Sequence, residues 1–271
     1  MIVRPGLRLS QSNDIINTNS GKRKWLKMKN ETKKKKGKRI VLILILIIAV
    51  LLIAMLVYLE RYYHADDSAK EALQSDAQVN VTQIPEGYLF DGPGEDTAIV
   101  FYPGGKVEEE SYAPLMHQLA GDGWDVFLLN LPFRLAVFDM DAAEDVIGNY
   151  AYDNWILAGH SLGGVAASAY VSEHGDEVDG LVLLASYPAE EIPEQVRMLT
   201  IYGSEDQVLN MKSYEESRNL WSAQTDEVVI EGGNHAQYGN YGAQKGDGEA
   251  QISADEQQEE VAKLISDAFS E

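Results

Sequence analysis

The sequence predicts an α/β domain, a mostly parallel sheet with helices on both faces and no large lid domain, preceded by one transmembrane helix. Three observations carry this expectation. From residue 97 onward, strand-like and helix-like patterns alternate to the C-terminus. The strand patterns are near-continuous Val, Ile and Leu runs, which is how strands buried on both faces read. Residues 40–59 form an apolar run with no charged residue in it.

Residues 40–59, taken as a helix at ~1.5 Å per residue, span about 30 Å, the hydrocarbon thickness of a bilayer. Lys33, Lys34, Lys35, Lys36, Lys38 and Arg39 precede the run, and Asp66 and Asp67 follow it. The positive-inside bias therefore puts the N-terminus in the cytoplasm and everything after residue 60 outside the cell membrane. Tyr58, Tyr62 and Tyr63 stand where an interfacial aromatic belt would. The run exceeds a signal peptide's apolar region of roughly 7–15 residues, and no small-x-small cleavage site follows, so a retained signal anchor is expected. The expected organisation is a disordered basic cytoplasmic tail at 1–39, the anchor at 40–59, a polar stalk at 60–78 and the α/β domain at 79–271.

Charge supports two environments. Residues 1–39 hold thirteen Lys and Arg against Asp14 and Glu31, whereas the remainder holds nine basic and 41 acidic side chains. An acidic outer domain argues against nucleic acid as a partner, since phosphate binding needs clustered positive charge. The chain has no cysteine, which removes disulfides, thiolate metal sites and a Cys nucleophile together.

The elements follow in order. Residues 79–84 and 88–90 read as a hairpin turned near Pro85-Glu86-Gly87. Residues 97–102 are a strand ending at Pro103-Gly104-Gly105. Residues 110–120 have helical spacing, with Tyr112, Leu115, Met116 and Leu119 on one face. A strand at 124–130, a helix at 139–150 and a strand at 154–158 come next. A small-faced helix covers roughly 162–173, with Gly163, Gly164, Ala166 and Ala167. Strands at 181–185 and 198–202 are separated by only twelve residues, 186–197. A helix at 212–221, a strand at 227–231 and a closing helix at 256–269 complete the pattern.

Gly159-His160-Ser161-Leu162-Gly163 is a G-x-S-x-G motif on a strand-to-helix turn, the setting of a nucleophile elbow. An ordinary βα turn with an N-capping Ser is the competing reading, and position alone leaves the two even. The partners decide. Serine is a weak nucleophile near neutral pH and needs a His base oriented by a carboxylate. Asp206 follows the strand at 198–202, and His235 follows the strand at 227–231. The order Ser, Asp, His is that of the α/β-hydrolase fold. Glu205 is the only rival for the acid role. The expected oxyanion donors are the backbone N–H of Leu162 and one from Gly105 or Lys106. His160 and Tyr238 are the candidate substrate-site residues, with packing of the His160 side chain inside the elbow as the favoured alternative for that residue. Residues 236–252 form either a rim around it or a mobile surface loop. Asp247 and Glu249 lack the spacing of a recognised calcium site, and no metal or organic cofactor is expected.

At this point the sequence resembles a family. Residues 101–107, 131–138, 159–164, 202–206 and 232–239 look like those of small bacterial α/β-hydrolases of the "alpha/beta hydrolase fold-5" group, which are dienelactone-hydrolase-like. The resemblance covers about 79–270 and implies the fold and a Ser/Asp/His hydrolase. One departure is that dienelactone hydrolases proper use a Cys nucleophile, which this chain lacks. The expected function is a membrane-anchored serine hydrolase acting on an ester or related acyl bond through an acyl-enzyme. The short connection at 186–197 implies an open site, favouring small or polymer-bound esters over long buried lipids. A non-catalytic binding domain on a hydrolase scaffold is the alternative from another class, and peptide or thioester cleavage is the alternative reaction.

Overall fold

The computed structural model describes residues 14–94 and 96–270. The chain divides into two units, Met1–Tyr58 and Leu59–Glu271.

In the N-terminal unit the apolar run belongs to one helix, α1 (Asp14–Leu59). Its apolar part is long and apolar enough to cross a membrane, and none of that stretch is buried. The helix begins at Asp14 rather than near Ile40, which corrects the expectation of disorder for residues 14–39; the rest of the tail lies outside the described residues. No proline interrupts 14–59, so no N–H is missing from the ladder that continues back from the apolar turns.

The expected stalk is not a spacer. Residues 59–78 belong to the outer unit. The Tyr63 N–H donates to the Lys106 carbonyl at 2.8 Å, and the Glu108 N–H donates to the Tyr63 carbonyl at 2.9 Å. Asp66 caps the short helix α2 (Asp67–Glu71) by accepting the Ala69 N–H at 3.0 Å. Ala65 and Ala69 are buried. Tyr63, Ala72 and Leu73 pack against the core beside them, and the polar residues that dominate the stretch concealed this.

The rest of the outer unit is one eight-stranded sheet with helices on both faces. In chain order its elements are β1 (Asn80–Ile84), β2 (Gly87–Asp91), β3 (Thr97–Tyr102), α3 (Ala113–Gly121), β4 (Asp125–Leu129), α4 (Ala142–Asn149) and β5 (Asn154–His160). Then come α5 (Leu162–His174), β6 (Gly180–Leu184), β7 (Arg197–Gly203), α6 (Met211–Glu216), β8 (Thr225–Ile230) and α7 (Ala254–Phe269). The strand order is β1-β2-β4-β3-β5-β6-β7-β8. β1 and β2 form the expected hairpin, β2 pairs antiparallel with β4, and all other pairings are parallel.

Alternation along β3 sends Ile99 and Phe101 to one face and Val100 and Tyr102 to the other. The first face packs on Leu115, Met116 and Leu119 of α3 and Val261 and Ile265 of α7. The second packs on Val146 of α4 and Ala166, Ala167 and Tyr170 of α5. From β3 the chain goes to β4 on one side, then returns to β5 on the other. This reversal is a topological switch point, and open α/β sheets bind ligands outside the carboxyl ends of the strands at such a point. The β3 end leads into Pro103-Gly104-Gly105, and the β5 end leads into Ser161.

At this switch point α5 lies close to the sheet. A methyl group on Gly163 would overlap the carbonyl oxygens of Tyr102 and Pro103, and one on Gly159 would overlap the Gly163 backbone. By contrast, a methyl on Gly148 of α4 would meet nothing within 4 Å. Gly163→Ala should therefore destabilise the outer unit by at least about 2 kcal/mol through overpacking. Gly148→Ala should be neutral or stabilising by up to about 1 kcal/mol, since helical Gly is less favourable than Ala. Thermal unfolding of the full chain in detergent measures both: the unfolding temperature should fall for Gly163→Ala and should not fall for Gly148→Ala.

Candidate active site

Ser161 sits between β5 and α5 with φ 52° and ψ −121°. A non-glycine residue held there stores roughly 1–3 kcal/mol of strain, so the surroundings must hold it. Its N–H donates to the Leu184 carbonyl at 2.9 Å. Its carbonyl accepts from the Ser186 hydroxyl at 2.7 Å and the Gly164 N–H at 3.1 Å. The turn is thus braced from β6 on one side and from its own helix on the other.

Asp206 follows β7, and its two carboxylate oxygens have separate tasks. Oδ1 accepts the N–H groups of Val208 and Leu209, both at 2.8 Å. Oδ2 lies 2.8 Å from His235 Nδ1. The two side chains are only 1% and 2% exposed, so the pairing is shielded from water, and a hydrogen bond to a carboxylate is stronger than one between neutral groups. Glu205 points elsewhere and accepts from Gln251 Nε2 at 2.7 Å.

The loop that carries His235 is tied to α7. The Asn234 N–H donates to Gln257 Oε1 at 3.0 Å, and Gln257 Nε2 donates to the Asn234 carbonyl at 2.9 Å. Asp247 closes the loop by accepting the Ala236 N–H at 2.8 Å, which is a structural use of that carboxylate. No group of side chains able to hold a metal ion occurs among the described residues.

The His235 ring packs on the His160 ring with centroids 4.6 Å apart. Because His160 immediately precedes Ser161, this contact brings His235 to the elbow. His235 Nε2 is buried and has no hydrogen-bond partner among the described residues. An imidazole with Nδ1 on a carboxylate and Nε2 uncommitted can accept a proton at Nε2.

A family model described as the alpha/beta hydrolase family matches residues 98–259. The chain belongs to the alpha/beta hydrolase family. Several solved structures share this hydrolase fold. A dienelactone hydrolase from Anabaena variabilis ATCC 29413 is 16% identical with a TM-score of 0.54, covering 71% of this chain and 97% of its own. A serine hydrolase involved in carbazole degradation is 13% identical with a TM-score of 0.52, covering 71% and 99%. A membrane phospholipase A, described as a bacterial virulence factor, is 15% identical with a TM-score of 0.53, covering 86% and 100%. No curated protein matches the sequence.

The hydrolase fold brings Ser161, Asp206 and His235 to one edge of the sheet, but the two candidate substrate residues lie in its interior. His160 is buried, and its Nδ1 lies 2.8 Å from the Tyr112 hydroxyl. Tyr238 is fully buried, donates to the Ile201 carbonyl at 3.3 Å and packs on His160 with ring centroids 5.2 Å apart. Residues 236–241 are therefore largely core, neither rim nor mobile loop. The two oxyanion candidates also separate. The Lys106 N–H donates to the Arg134 carbonyl at 2.7 Å. Gly105 lies against Leu162, since a methyl group on it would stand 2.9 Å from Leu162 Cδ2. A surface depression of about 510 Å³ is lined by Glu71, Asp76 and His117 and includes none of Ser161, Asp206 or His235.

Three supporting residues went unread in the sequence. Tyr112 accepts the Gly104 N–H at 3.0 Å through the same hydroxyl that meets His160, joining the β3 loop to the elbow. Ser186 had no signal. Gln257 had one, because it precedes Val261 and Ile265 by four and eight residues and so shares their buried helix face.

Burial, and secondarily the neighbouring His235 imidazole, holds His160 well below the ordinary imidazole range, so it is neutral in the folded chain. The unfolded chain would protonate it near pH 6.5. The stability it contributes is thus full above that value and is lost as pH falls through it, at up to about 1.4 kcal/mol per pH unit. Unfolding free energies between pH 7 and 5 should fall less steeply in His160→Gln than in the native chain.

Proposed function

We propose that the protein is a membrane-anchored serine hydrolase that cleaves a carboxylic ester or related acyl bond through Ser161, His235 and Asp206. The observation that carries this reading is the buried Asp206–His235 pair, with an uncommitted Nε2, beside a strained serine turn.

In this reading Ser161 Oγ attacks the carbonyl carbon while His235 Nε2 takes its proton. Asp206 holds the ring in the tautomer that leaves Nε2 free to accept, and stabilises the imidazolium that forms. The negative charge moves to the former carbonyl oxygen. Its donors are the Leu162 N–H at the start of α5, where the helix dipole also favours an anion, and the Gly105 N–H. Gly105 is preferred to Lys106 because the Lys106 N–H is already engaged by Arg134. The tetrahedral intermediate collapses, His235 returns the proton to the departing alcohol, and an acyl group remains on Ser161. Water then repeats the sequence and releases the acid. Every step uses groups of this chain and water, with no metal or cofactor in the scheme.

The anchor is α1, with the N-terminus cytoplasmic and the outer unit extracytoplasmic, as the basic residues before the apolar run argue. The fold shared with the membrane phospholipase A supports it, because that match covers a larger share of this chain than Leu59–Glu271 occupies. The β6–β7 connection is short, which favours an open site over one buried beneath a lid.

With p-nitrophenyl acyl esters of increasing chain length as substrates, Ser161→Ala should lower turnover by at least about 10³-fold and leave the unfolding temperature nearly unchanged. Asp206→Asn should lose about 10³- to 10⁴-fold, mostly in kcat. Equal turnover in the native chain and Ser161→Ala would sink the proposal.

A further inference from the structure

We propose that the loop 131–138 docks the outer unit on the bilayer surface from which its own chain emerges, which holds the site at the lipid interface. This rests on the anchor reading of α1 given above.

Among the described residues of Leu59–Glu271, the exposed large hydrophobic side chains are Phe133, Val137, Phe138, Met211 and Val229. Three of these five fall within six residues, at 49%, 53% and 57% exposure. The rings of Phe133 and Phe138 meet edge to face, with centroids 5.7 Å apart. Clustered exposed apolar side chains mark an interaction surface, whereas scattered ones do not.

The display is built into the backbone. Phe133 and Arg134 hold φ of 55° and 57°, a left-handed conformation that bulky residues adopt only where the surroundings impose it. Here the Arg134 N–H donates to the Leu131 carbonyl at 2.9 Å, and the Leu135 N–H donates to the Pro132 carbonyl at 3.1 Å. The Arg134 carbonyl is taken by Lys106. Leu135 turns inward, 3.6 Å from where a methyl group on Gly105 would lie, and Gly105 adjoins Leu162. The apolar surface therefore borders the site on the side of the proposed oxyanion donors.

Chain connectivity identifies the occupant. The Arg134 guanidinium lies 3.6 Å from the centre of the Tyr62 ring. Tyr62 is only three residues beyond Leu59, where the apolar run ends. Three residues span at most about 10 Å, close to the depth of one headgroup layer. A patch so close to the chain's exit from the bilayer needs only weak apolar affinity, because the tether makes docking intramolecular. The open site would then take esters whose own bodies sit in the bilayer, with the acyl chains left in the lipid.

The chain has no native cysteine, so Phe138→Cys places a single environment-sensitive nitrobenzoxadiazole probe on the full chain. Asp176→Cys, before β6 at the opposite edge of the sheet, is the control, and Ile48→Cys reports the anchor. In phosphatidylcholine vesicles containing doxyl-labelled phosphatidylcholine, the probe at 138 should emit to the blue of that at 176 and be quenched at least twofold more. Equal emission and quenching at 138 and 176 would overturn the proposal. Blue emission without doxyl quenching would overturn it too, by assigning the patch to a protein contact. An unquenched probe at 48 would overturn the anchor and the docking together. Hydrolysis of p-nitrophenyl acetate by the same samples tests the hydrolase reading separately: turnover with an unquenched probe at 138 removes only the docking, and quenching without turnover removes only the hydrolase.

Discussion

The close approach of α5 to the carboxyl ends of β3 and β5 is the constraint on which the outer unit depends. Gly159, Gly163 and Gly164 leave no room for a Cβ between helix and sheet. That contact forces the chain to reverse within one residue, and Ser161 carries the strained conformation that results. The strain is opposed by bonds from Leu184, Ser186 and Gly164. Gly105 can adjoin Leu162 only because the helix start is drawn down to the β3 loop.

Around that turn, several buried polar groups hold one another in place. Asp206 is held by two backbone donors before it meets His235. The Asn234 backbone and Gln257 exchange two bonds, and Tyr112 serves Gly104 and His160 with one hydroxyl. Each arrangement fixes a loop that would otherwise be free to drift, and a displacement near 1 Å can cost an enzyme about 10²-fold. In the proposed reaction, this frame leaves His235 Nε2 uncommitted, so it can take the proton of Ser161.

Much of this was legible in the residue order. Alternating apolar runs specify the parallel sheet, because strands covered on both faces need Val, Ile and Leu at nearly every position. Ser161, Asp206 and His235 were legible because each directly follows a strand, so one sheet edge collects them. Tyr238 was misread because a polar residue next to a site suggests a surface, whereas it is buried with a hydrogen-bond partner, and the packing expected of the His160 side chain is what the structure has. The difference between Gly105 and Lys106 depends on Arg134, about thirty residues away, and local sequence holds no trace of it. Residues 60–78 were taken for a stalk because polar side chains dominate the stretch and the buried Ala65 and Ala69 are weak apolar signals. The helix from Asp14 was missed because a basic run has no apolar face to reveal its period.

The central claim is that Ser161 is an activated nucleophile, and a fluorophosphonate reacts with a serine only when its hydroxyl is activated. Peptide mass spectrometry of the full chain after such treatment should find one phosphonyl group on the peptide containing Gly159-His160-Ser161-Leu162-Gly163-Gly164, and none in His235→Asn. A folded chain that takes up no label, or takes it up on another residue, would contradict the account.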